Sequence, residues 1–328
     1  MALLLVSALV SLMILLASGF AVQVIRFWDI KSGSEKQLNL ERRTYLISTL
    51  LAWVFAAELI SLLLFIYNAE AMSGQFVGAM CATGVLNANI WGWPTLFLKM
   101  SIFFSGAAWL VLNNLDNKGY DYPLIKIKYA LLLLITPMVI AEFIVQIRYF
   151  SELNPDVITS CCGALFSADA EGVAAEVSGL KPKTAMYALF STGLLTLFSG
   201  LWYIKKRSFG WLFALSGGFA FIVALVAIVS FIALYVYEHP HHHCPFCILK
   251  SGHDYVGYAL YIPLFLATAL ALGTGIQAPW KNKQSLKDSV ATNSTKMAWV
   301  SLALFGLFYA ISTWAVLNSN LVMTGVWW

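Results

Sequence analysis

Eight stretches of this chain are apolar over lengths that water does not tolerate. They run at about 3–26, 44–68, 90–115, 128–149, 185–203, 211–236, 256–276 and 297–318. A helix needs about 20 such residues to cross roughly 30 Å of hydrocarbon. The runs are continuous rather than alternating, which favours helices over the strands of a barrel. Composition agrees: 60% of the 328 residues are hydrophobic and 11% are charged. A soluble fold of this size lacks the interior to hide that much apolar surface. The expected fold is all-α: a single polytopic membrane domain of about eight transmembrane helices, without a soluble domain, internal repeat or low-complexity segment.

The charges orient the bundle. The odd-numbered connectors carry Arg26, Lys31, Lys36, Arg42 and Arg43; Lys118, Lys126 and Lys128; Lys205, Lys206 and Arg207; and Lys281, Lys283, Lys287 and Lys296. That is 15 of the 20 Lys and Arg, against Lys181, Lys183 and Lys250 in the even connectors. The even connectors also hold Glu70, Glu152, Asp156, Asp169, Glu171, Glu176, Glu238 and Asp254. By the positive-inside rule the odd connectors are cytoplasmic and both termini lie outside. The expected location is a bacterial inner membrane, with the outer loops 69–89, 150–184 and 237–255 in the periplasm. The first apolar stretch has no basic residue before it, so it reads as a retained N-out helix rather than a signal peptide. Trp327 and Trp328 suit an outer interfacial belt.

All five cysteines and all five histidines fall in those outer loops: Cys81 in the first, Cys161 and Cys162 in the second, and Cys244, Cys247, His239, His241, His242, His243 and His253 in the third. An oxidising compartment lets such thiols cycle as disulfides. The sharpest motif is His241-His242-His243-Cys244-Pro245-Phe246-Cys247. A Cys-x-x-Cys dithiol closes a tight ring that opens and shuts readily. Pro245 suits the first turn of a helix. If the motif runs into the seventh span, Cys244 sits at a helix N-terminus, where the dipole and neighbouring imidazolium stabilise thiolate. Cys244 is then the exposed nucleophile and Cys247 its resolving partner.

Cys244-Pro245-Phe246-Cys247 resembles the active dithiol of glutaredoxins. Its place at the outer end of a membrane helix resembles quinone-coupled thiol oxidases of the disulfide-bond protein B and vitamin K epoxide reductase types. Those families pair a helix-end Cys-x-x-Cys with further cysteines in another outer loop. The resemblance implies that Cys161 and Cys162 shuttle electrons and that a membrane quinone accepts them. Cys81 can pair with either of the two, since connectivity is not readable from sequence.

A metal site competes with this reading. His239, His241, His242, His243 and His253 beside Cys244 and Cys247 form a mixed imidazole and thiolate set suited to copper or zinc. Cys161-Cys162 and Met80-Cys81 add soft donors. Histidines also serve redox chemistry by moving protons, or simply wet the membrane surface.

Other candidates are weaker in chemistry. Asn87 and Asn89, with Trp91 and Trp93, can line a quinone site, or form a turn with aromatic anchors before the third span. Glu58, Lys99, Glu142 and Arg148 are ionisable inside spans, where charge is costly. Glu58 and Glu142 can relay protons released by dithiol oxidation. Equally, Glu142 can pair with Lys99 while Arg148 reaches the interface.

Three functions follow from these residues. The first is a thiol–disulfide oxidoreductase acting on a periplasmic thiol protein, with quinone as acceptor. The second is a copper- or zinc-binding protein that hands metal to a periplasmic metalloprotein. The third is an assembly subunit of a larger membrane complex. No Gly-x-x-x-x-Gly-Lys-Ser/Thr is present, so nucleotide-driven pumping would need a separate ATPase partner. A net charge of +4 gives no reason to expect nucleic acid, and membrane lipid is the constant partner. No Cys-x-x-Cys-His is present for covalent haem.

Overall fold

Backbone polar groups in hydrocarbon must be satisfied within their own segment, and a helix does this locally. The computed structural model, which describes residues 2–156 and 180–323, is helical, with no strand among them. Among the described residues, eight helices are long and apolar enough to cross a membrane. They are α1 (Ala2–Phe27), α2 (Glu35–Met72), α4 (Gly92–Asp116), α5 (Ile125–Ser151), α6 (Pro182–Lys206), α7 (Gly210–Tyr237), α8 (Val256–Gln277) and α9 (Lys287–Leu317). A short helix, α3 (Ala82–Leu86), lies between α2 and α4.

Two helices begin well before their apolar runs. α2 starts at Glu35, where Ser34 Oγ accepts the Gln37 N–H at 3.3 Å. α9 starts at Lys287, and its polar first turns are used: Tyr203 donates to Ser294 Oγ at 2.8 Å, and Asn293 to Gln277 Oε1 at 2.9 Å. Pro137 lies inside α5 and Pro263 inside α8, as membrane helices allow.

The described residues form two compact units. The first comprises Met1–Ala69, Ala88–Asn154 and Trp280–Val290. In it, α5 packs on α1 and α4. α1 buries Ser7, Val10, Ser11, Ile14, Ala17, Ala21 and Val24 and turns Leu5, Leu9, Leu12 and Leu16 outward. Small and polar residues face the helical neighbours while leucines face the surroundings, as is usual where lipid is the solvent. The core gathers Ile14, Phe20, Phe55, Trp109, Tyr129 and Ile135.

The second unit comprises Glu70–Asn87, Pro155–Pro279 and Ala291–Trp328. Here α7 packs against α6 and α8. A Cβ on Gly217 would come within 2.8 Å of Ala271, so the hydrogen at this position lets α7 and α8 approach closely. α7 contains one π turn, Ile228–Ile232. Such a turn leaves the regular ladder locally incomplete, often beside a functional element. This unit holds the thiols.

Candidate functional site

The thiol site is built by two short segments of the second unit. One is the connector 238–255 between α7 and α8. The other is the stretch from the end of α2 through α3.

The connector is held by tyrosines that flank it. Tyr237, at the end of α7, donates to the Cys244 carbonyl at 2.6 Å. Tyr261, in the second turn of α8, donates to the Pro245 carbonyl at 2.8 Å. Cys247–Leu249 forms a single 3₁₀ turn that lies on α8. Gly257 makes that seat: a Cβ there would stand 2.7 Å from Leu249 Cδ2 and 3.0 Å from the backbone carbon of Ile248. Asp254 and Tyr255 then take left-handed backbone angles (φ 51° and 54°) before α8 begins. Cys244 therefore does not sit at a helix N-terminus. α8 starts at Val256, and turns fill the gap.

The second segment brings Cys81. Cys81 caps α3 with extended backbone angles. Glu70 ties this cap to the connector. One carboxylate oxygen accepts the Ala82 N–H at 2.8 Å, and the other faces Lys250 Nζ at 3.3 Å. Lys250 also donates to the Met80 carbonyl. Both sides of Cys81 are thus clamped to the residues that follow Cys247.

The outcome is a sulfur cluster. Cys81 Sγ lies 3.3 Å from Cys244 Sγ across 163 residues of sequence. The Sγ atoms of Cys81, Cys244 and Cys247 are all within 4.8 Å of one another. Thr83 Oγ1, from α3, is 3.2 Å from Cys244 Sγ, placed to donate to a thiolate. The three cysteines are 0%, 0% and 5% exposed, so Cys244 is buried rather than exposed. A disulfide bond of about 2.05 Å needs Cys81 and Cys244 roughly 1 Å closer than they stand. Cys161 and Cys162 lie outside the described residues.

The histidines take other places. His243 Nδ1 meets the carbonyl of Val229, in the π turn of α7, at 2.9 Å. A carbonyl can only accept, so Nδ1 carries the hydrogen. Burial lowers the His243 pKa below the ordinary histidine value; the Val229 bond opposes this, and His241 and His242 add to it. Burial also lowers that of His253. His242 stacks on the Tyr237 ring at 4.1 Å and His253 meets its edge at 4.6 Å. His239 and His241 face each other at 6.1 Å. Among the described residues, the close group of metal-ligating side chains is three thiols without an imidazole.

The asparagines and tryptophans proposed for a quinone divide between the units. Asn87 caps α3 in the second. In the first, Asn89 donates to the Tyr149 carbonyl at 2.9 Å and accepts from the Trp91 N–H at 3.0 Å. Trp91 Nε1 donates to Glu152 at 2.8 Å, and Trp93 stacks on Phe97. An apolar groove lined by Phe198, Trp202, Phe209 and Phe219 lies at the start of α7. The thiols follow its other end, about 27 Å beyond Phe219 along the axis at 1.5 Å per residue.

The ionisable residues of the spans lie in the first unit. Lys99 Nζ is 2.8 Å from Glu142 Oε1, both at most 1% exposed. Glu58 is 2% exposed. Arg148 is well exposed and 3.7 Å from Glu152. A further buried pair, Lys128 with Asp116 at 2.8 Å, escapes a search confined to span centres because both lie near helix ends.

Residues that build the thiol site without carrying sulfur are Glu70, Thr83, Tyr237, Lys250, Tyr261 and Gly257. The one signal for any of them in the sequence is Lys250, a lone base in an otherwise acidic and histidine-rich connector. No protein-family model, curated protein or solved structure matches this chain.

Proposed function

We propose that this protein is a multi-pass membrane thiol–disulfide oxidoreductase of the bacterial inner membrane, with Cys81, Cys244 and Cys247 as its redox centre on the periplasmic side. The observation that carries the reading is the 3.3 Å approach of Cys81 Sγ to Cys244 Sγ. Three thiols at this spacing exchange disulfides without large motion. With Cys244 and Cys247 oxidised, Cys81 thiolate attacks Cys244 sulfur. The Cys81–Cys244 bond forms, the Cys244–Cys247 bond breaks, and Cys247 leaves as thiolate. Once Cys244 is reduced, Thr83 Oγ1 is placed to donate to its thiolate. Burial closes this centre to a partner protein, so electrons reach it through another thiol of the chain. Cys161 and Cys162 fill that part, and a membrane quinone, reduced to quinol with two electrons and two protons, is the acceptor.

One observation favours a second reading. Three buried sulfurs within 4.8 Å of one another also suit a soft cation such as copper(I), held by thiolates alone. In that case the protein delivers metal to a periplasmic partner.

Thiol trapping in intact cells separates the two. A maleimide mass tag is applied with and without reductant, with and without a copper chelator, and with the quinone pool blocked. A Cys81–Cys244 or Cys244–Cys247 disulfide whose population shifts on blocking quinone supports the oxidoreductase. Three reduced thiols that react only after chelation support metal delivery instead. Wild-type activity in a Cys244→Ser/Cys247→Ser variant would overturn both.

A further inference from the structure

The first unit holds two buried ionic clusters, and only one of them balances. Near the ends of α4 and α5, Asp116 faces Lys128 at 2.8 Å and takes the Leu124 N–H at 2.8 Å. Lys128 also donates to Asn113 at 3.0 Å. This is one anion against one cation, with hydrogen bonds on both.

The other cluster spans three helices: Glu58 and Ser61 of α2, Lys99 of α4, and Glu142 of α5. Lys99 donates to Ser61 Oγ at 2.7 Å and pairs with Glu142 at 2.8 Å. Glu58 lies within electrostatic reach of both Lys99 and Glu142, yet neither of its oxygens has a hydrogen-bond partner. Gln146, one turn beyond Glu142 on the same face, is fully buried with both amide atoms unpartnered. The titratable groups facing Glu58 are therefore one lysine and one carboxylate. α1 carries no ionisable side chain before Arg26. Two carboxylates against one ammonium leave a charge of −1 in a site that water does not reach. Burying an uncompensated charge is far costlier than protonating it.

We infer that the cluster of Glu58, Lys99 and Glu142 binds one exchangeable proton, held on Glu58. The ligand is a single proton, counted by charge. The site is separate from the thiols and stands whether or not they are redox-active. Its function is proton uptake and release inside the membrane bundle.

The charge count dictates a pattern that a structural cluster would not produce. The full-length protein in lipid nanodiscs is examined by infrared difference spectroscopy for the carbonyl stretch of a buried carboxylic acid. Wild type shows one such group, which titrates away at high pH. Glu58→Gln shows none, because Glu142 and Lys99 balance. Glu142→Gln also shows none, because Glu58 then ionises against Lys99. Lys99→Met shows two, because both carboxyls must be neutral. Absence of the band in wild type, or its persistence in Glu58→Gln, overturns the inference. So does stoichiometric sodium binding that replaces the band, which would make the cluster a sodium site. If a variant is not recovered folded, the remaining members still test the count.

Discussion

Seating the Cys-Pro-Phe-Cys turn on α8 depends on one missing methyl group. In Gly257→Ala the new Cβ would meet Leu249 Cδ2 at 2.7 Å and Ile248 Cγ1 at 2.8 Å, which are side-chain ends that can move. The Ile248 carbonyl carbon at 3.0 Å cannot move without lifting the turn. Overpacking of this kind costs about 1–3 kcal/mol. The helical preference of Ala over Gly returns about 1 kcal/mol. A net loss of up to about 2 kcal/mol falls on local closure of the turn. Because 1.4 kcal/mol is tenfold in an equilibrium, the open population rises by up to about 30-fold. Buried thiols react through that open state, so maleimide labelling of Cys244 and Cys247 quickens by the same factor. The assay is time-resolved labelling of the reduced full-length protein, quantified on the peptide that carries both cysteines. Gly252→Ala is the control: it lies in the same connector with nothing within 4 Å of its Cβ, and its rate stays at the wild-type value. Equal rates for Gly257→Ala and Gly252→Ala would refute the view that Gly257 positions the thiol turn.

Two further outcomes follow from the geometry. Lys250→Met releases the Met80 carbonyl and Glu70, so disulfide formation between Cys81 and Cys244 under a mild oxidant slows several-fold; Glu70→Gln slows it less, and unchanged rates in both would discard the clamp. Lys128→Met leaves Asp116 buried without its cation and lowers stability by about 3–5 kcal/mol, read as the midpoint of detergent-induced unfolding. Asp116→Asn/Lys128→Met recovers most of the loss, and a double variant no better than the single would rule out charge pairing as the cause.

Hydropathy reads the hydrocarbon crossed by a helix, not the helix. The run at 44–68 is visible because it is apolar, whereas α2 begins at Glu35 through a polar turn that a hydropathy window discards. The same holds for α9, whose first turns contain Asn293 and Ser294. Which face of α1 is buried was not legible, since leucines fill the outward face and serines and alanines part of the inward one. The thiols were legible as loop residues. Their meeting was not, because Cys81 and Cys244 are brought together by Glu70 and Lys250, a pair no local pattern connects. The helix N-terminus expected at Cys244 failed because spacing alone does not reveal the left-handed pair Asp254 and Tyr255 that delays α8. The pairing of Glu142 with Lys99 was within reach of the sequence, since a lone lysine in hydrocarbon needs a carboxylate.

The π turn of α7 makes the aim of Tyr237 a matter of counting. Such a turn is one residue surplus to the α-helical repeat, and each residue of an α-helix advances the chain by roughly 100°. Everything after Ile232 is thus rotated by about that angle from where an unbroken helix would carry it. The hydroxyl that holds the Cys244 carbonyl lies beyond the turn, so its aim depends on this phase. Along this lineage, single-residue insertions and deletions between residues 228 and 232 would be resisted more strongly than substitutions at the same positions.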